Sequence, residues 1–85
     1  MATIRGRVVD NGGAPVARAA VYVVQAPQPL PDIAQLTGAD GAFEVDAPSR
    51  GAYTIGARSD TAGEGRADVA VTSGDVSVTI TLMPA

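Results

Sequence analysis

The chain has 85 residues, enough for one small domain, and a net charge of −3 from six arginines against nine carboxylates. It contains no cysteine, histidine, lysine or tryptophan, which removes disulfides, the usual zinc, copper and haem ligand sets, Ser-His and Cys-His nucleophile pairs and Schiff-base chemistry. Nucleic-acid binding calls for a basic stripe, and a membrane span for a long apolar run, and neither is present.

Alternation with period two dominates the pattern, broken by Gly, Pro and Asp at the spacing of an all-β sandwich. The first predicted strand covers Thr3 to Val9, with Ile4 and Val8 on one face and Arg5 and Arg7 on the other. Asp10-Asn11-Gly12-Gly13 is a turn, because Asn and Gly tolerate positive φ. The second strand covers Ala19 to Gln25, with Ala19, Val21 and Val23 inward and Tyr22 and Val24 as an apolar pair outside.

A Pro-rich connection follows from Ala26 to Gln35, which proline's missing N–H keeps out of any central strand. A short strand resumes near Leu36-Thr37, and Asp40-Gly41 predicts a hairpin into a strand from Ala42 to Ala47, with Phe43 and Val45 inward. Pro48 to Gly51 turns the chain into Ala52–Arg58, where Tyr53, Ile55 and Ala57 face inward. Asp60 to Gly65 reads as a polar loop. A last hairpin is expected to pair Arg66–Thr72 with Val76–Leu82 across Ser73-Gly74-Asp75. The expectation is about seven strands, no helix and no internal repeat.

Several stretches together resemble one family. They are Gly6 with Val8-Val9-Asp10, Pro15-Val16, Ala19-Ala20-Val21, Thr37 with Asp40-Gly41-Ala42-Phe43, Gly51-Ala52-Tyr53-Thr54-Ile55 and Val78-Thr79-Ile80-Thr81-Leu82. In this order they resemble the carboxypeptidase regulatory-like domain of the transthyretin-like (prealbumin-like) superfamily. The resemblance implies a seven-stranded antiparallel Greek-key β-sandwich spanning residues 1–85 as a single domain. Such domains are usually non-catalytic appendages to peptidases, outer-membrane receptors, surface proteins or injection-machine tips. Relatives with chemistry of their own need residues this chain lacks: histidines in the hydroxyisourate hydrolases, His and Tyr around iron in the intradiol dioxygenases, and Lys in isopeptide-bonded pilin-like sandwiches. The resemblance therefore implies no catalytic residue, no metal and no cofactor.

The candidate binding residues are Tyr22, Val24, Pro29, Leu30, Ile33 and Leu36. Pro27, Pro29 and Pro31 bias their segment toward an extended polyproline form that presents side chains at little ordering cost. Leu30, Ile33 and Leu36 are apolar where a loop would be polar. The same three residues could instead fold back as a lid, which a small core favours. Arg5, Arg7, Glu44, Asp46, Arg58, Arg66 and Asp68 look outward and read as a cross-strand charge ladder before they read as a partner patch. Asp60, Glu64 and Asp68 do not match the spacing of a calcium loop.

The expected function is a non-catalytic protein-binding or assembly module that docks onto a larger protein through the Pro27–Leu36 loop and the Tyr22/Val24 face. A carbohydrate-binding module using Tyr22, and a tip or cap of a secretion or contractile injection assembly, stand as alternatives. No nucleic acid and no membrane insertion are expected. Without a leader pattern after Met1, the expectation is a complete unit that stays in the cell or leaves without a cleaved leader.

Overall fold

A computed structural model describes residues 2–28 and 35–84. Seven strands follow one another: β1 (Ala2–Val9), β2 (Ala20–Gln25), β3 (Gln35–Leu36), β4 (Ala42–Ala47), β5 (Gly51–Ser59), β6 (Gly63–Val71) and β7 (Val76–Thr81). They form a three-stranded sheet in the order β4-β1-β7 and a four-stranded sheet in the order β3-β2-β5-β6. The radius of gyration, 12.0 Å, is what a compact chain of this length should have, about 12 Å.

Period-two alternation fixes which face of each strand turns inward. Ile4 and Val8 of β1, Val21 of β2, Phe43 of β4, Tyr53 and Ile55 of β5 and Ile80 of β7 are all buried. Each fully buried Val, Ile or Leu contributes about 1.5–3 kcal/mol by leaving water. That burial holds the two sheets together with no disulfide.

Four expectations are corrected. The expected hairpin of the last two strands does not form, because β6 pairs with β5 while β7 pairs with β1. The Thr72–Asp75 connection is an arch between sheets, so Val71 and Ile80 contribute to the core from opposite sheets. The β1–β7 pairing is also parallel, with Gly6 opposite Val78, so the sandwich is not antiparallel throughout. Asp40-Gly41 does make its turn, with the Gly41 N–H donating to the Gly38 carbonyl at 2.9 Å. It carries the chain from β3 in one sheet to β4 in the other, so it is a crossing and not a hairpin.

The fourth correction concerns Asp60–Gly65, read as a loop. β6 already begins at Gly63, opposite Ser59, and the β5–β6 turn is tight. Gly63 has φ +94°, and a side chain there would overlap the Met83 carbonyl. Its bareness lets the tail after β7 pair with the edge of β6, where the Met83 N–H donates to the Glu64 carbonyl at 2.9 Å.

Candidate functional site

The outer face of the four-stranded sheet sets apolar and cationic residues side by side. Strand pairing sets its rows. Ala20 lies between Leu36 of β3 and Arg58 of β5, and Tyr22 lies beside Gly56. Arg66 of β6 follows Gly56 on the far side. Side chains of Arg18, Tyr22, Leu36, Arg58 and Asp60 rim a shallow concavity of about 500 Å³.

Local structure holds each of these residues. Thr37 is a buried polar side chain, 4% exposed. Its hydroxyl donates to the Val16 carbonyl at 2.7 Å and accepts the Ala19 N–H at 2.9 Å. Backbone bonds from Arg18 N–H to Thr37 O and from Thr37 N–H to Ala19 O complete the clamp. The clamp fixes Leu36, one residue earlier, against the start of β2. It also holds Arg18 in the left-handed region at φ 59°, the one such non-glycine among the described residues.

Tyr22 lies across a glycine. A Cβ at Gly56 would come within 2.5 Å of Cε2 and 2.7 Å of Cζ of the Tyr22 ring. The ring thus covers bare backbone and makes Gly56 buried on an outer face. Leu36 is 66% exposed.

Among the described residues, ion pairs within 4.0 Å involve only Arg5, with Glu44 at 4.0 Å and Asp75 at 3.8 Å on the other sheet. Both pairs are exposed and stabilise by well under about 1 kcal/mol, so the expected charge ladder is realised at one arginine only. Arg18, Arg58 and Arg66 have no carboxylate partner within that distance among the described residues. Asp60, Glu64 and Asp68 form no metal-binding cluster with each other or with other described residues, and Asp68 instead accepts the Thr54 hydroxyl at 2.7 Å.

Of the sequence candidates, the structure brings together Tyr22 and Leu36. Val24 is 41% exposed but is the extra residue of a bulge between Val23 and Gln25, so Gln25 takes the place opposite Thr54. Val24 does not rim the concavity. Pro29, Leu30 and Ile33 lie outside the described residues. Sequence reasoning missed Arg18 and read Arg58 as ladder. The outward parity that Arg58 shares with Gly56 was readable, but its adjacency to Ala20 depends on the pairing of β2 with β5.

Two packed sheets in this order define a small β-sandwich module. The model of the carboxypeptidase regulatory-like domain matches residues 3–83, and the chain belongs to that family. No curated protein matches it. Among solved structures it is similar to a DUF3823 family protein from Parabacteroides merdae, at 18% identity and TM-score 0.69 over 98% of this chain and 46% of that one. It is similar also to 5-hydroxyisourate hydrolase from Klebsiella pneumoniae, at 16% identity and TM-score 0.69 over 100% of this chain and 92% of that one. A third is a chain of a type II cohesin–X-dockerin complex from Acetivibrio cellulolyticus, at 16% identity and TM-score 0.66 over 95% of this chain and 53% of that one. The chain thus spans about half the length of the first and third. At these identities the likeness is one of fold. The hydrolase's activity is not carried over, and this chain has no histidine.

Proposed function

We propose that the chain is a non-catalytic docking module that attaches to a larger protein through the outer face of its four-stranded sheet. The observation that carries this reading is the grouping of Tyr22 and the 66%-exposed Leu36 on one concave face beside two arginines. Tyr and Arg are the side chains that dominate binding energy at protein interfaces, and a rigid sheet presents them at little ordering cost. A family described as regulatory-like, and a structural neighbour drawn from a protein–protein complex, support the same reading.

The test is capture of partners by immobilised wild type and by a Tyr22→Ser/Leu36→Ser double variant. A partner retained by wild type and lost with the variant is the expected result; equal capture by both would remove this face from the reading. The bareness of Gly56 under the Tyr22 ring also suits a sugar-stacking platform. That second reading predicts retention of wild type on a polysaccharide column and its loss with Tyr22→Ala.

A further inference from the structure

We propose that the concavity on the four-stranded sheet recognises a carboxylate side chain and an apolar one that share a face, two residues apart, in an acidic, extended segment of the protein partner. This rests on the docking reading and names the chemistry of its partner. The rim holds two guanidiniums, Arg18 and Arg58, against one carboxylate, Asp60. Its balance is positive in a chain whose net charge is −3.

Neither guanidinium is paired with a carboxylate among the described residues, although Glu64 stands directly opposite Arg58 across the β5–β6 pair. A guanidinium presents a planar fork of donors that fits a carboxylate with two parallel hydrogen bonds. The two arginines flank Ala20, whose methyl leaves the floor between them open. Arg66, beyond Gly56 in the next row, extends the positive margin past the Tyr22 ring.

The apolar half of the site selects the class of partner. Leu36 offers an aliphatic wall and Tyr22 a ring held over bare backbone. An aliphatic wall packs against apolar side chains, whereas a saccharide would ask for a second ring. An extended peptide turns every second side chain to the same face, so acidic and apolar residues two apart match a surface on which each row sets an apolar side chain beside a cationic one, Leu36 with Arg58 and Tyr22 with Arg66.

The probe is the acetylated, amidated peptide Glu-Ser-Leu-Ser-Glu, which turns Glu and Leu to one face when extended, titrated into isotope-labelled protein and followed by amide NMR. Expected are shifts centred on Arg18, Ala20, Tyr22, Leu36 and Arg58, weakened as NaCl rises from about 50 to about 500 mM. An Arg18→Gly/Arg58→Ser variant should bind about tenfold or more weakly. Glycine suits the φ of 59° at position 18, and the variant's own spectrum checks that it is folded. The Lys-Ser-Leu-Ser-Lys peptide should leave the spectrum unmoved.

Shifts scattered elsewhere, no shifts, or equal response to the lysine peptide would overturn the proposal. Shifts with oligogalacturonate alone would overturn it in favour of a saccharide. In the capture experiment, loss with the Tyr22/Leu36 variant but retention with the arginine variant would leave the docking reading standing and remove the carboxylate. Equal capture by all variants would remove both.

Discussion

Two glycines are each crossed by an aromatic ring from the neighbouring strand: Gly6 by Phe43, and Gly56 by Tyr22. The surroundings of the two rings set the consequence of filling each space. Phe43 is 4% exposed and locked in the core, and a Cβ at Gly6 would also meet the Val78 carbonyl. The Tyr22 ring lies on the outer face and is only partly covered, so it can swing into solvent. Gly6→Ala should therefore cost about 3 kcal/mol or more through overpacking. Gly56→Ala should stay within about 1 kcal/mol, because the ring yields and glycine's extra chain entropy is removed. Urea denaturation of both variants checks the contrast; equal costs would mean that the outer ring is as fixed as the inner one. Gly56→Ala is also the mildest way to move Tyr22 without deleting it.

At the scale of elements, the short strand β3 depends on one hydroxyl. Thr37 Oγ1 bridges the Val16 carbonyl and the Ala19 N–H, and no backbone partner replaces it. Thr37→Val keeps the shape but strands a buried donor and acceptor, which costs about 2–4 kcal/mol, the desolvation penalty of two unpartnered groups. Faster hydrogen exchange at the Ala19 amide, beyond that of Ile55, is the expected local signature. An unchanged Ala19 rate would place the clamp in the backbone bonds instead.

The same element shows where sequence reasoning stops. Alternation made the inward faces of β1, β2, β4 and β5 legible, since Ile4, Val21, Phe43 and Ile55 could be assigned from parity alone. It could not say which strands pair. Asp40-Gly41 and Ser73-Gly74-Asp75 have turn chemistry whether the chain folds back in its own sheet or crosses to the other. Packing between distant residues decides that. Gly63 read as loop because its role is to admit Met83, twenty residues later and not local in sequence. Tyr22 was legible as an outward ring, but the arginines beside it came together only through the β2–β5 register.

At the scale of the molecule, the two sheets are stitched by their connections. Of the six links between consecutive strands, only β2–β3 and β5–β6 stay within one sheet, and the other four cross. β1 is the middle strand of its sheet and β5 is interior to the other, and both contribute fully buried side chains, Ile4 and Val8 from β1 and Ile55 and Ala57 from β5. Separating the sheets would expose both apolar faces while every crossing link resisted the movement. A three-stranded sheet stripped of its cover retains too little burial to persist. Unfolding should therefore be all-or-none, with the central amides of β1 and β5 exchanging through the same global opening. Their protection free energies are expected to agree within about 0.5 kcal/mol and to match the value from urea denaturation. A gap larger than that between β1 and β5 would show the sheets opening one at a time. The proposed docking face would then rest on a four-stranded sheet able to hold its shape apart from the other sheet.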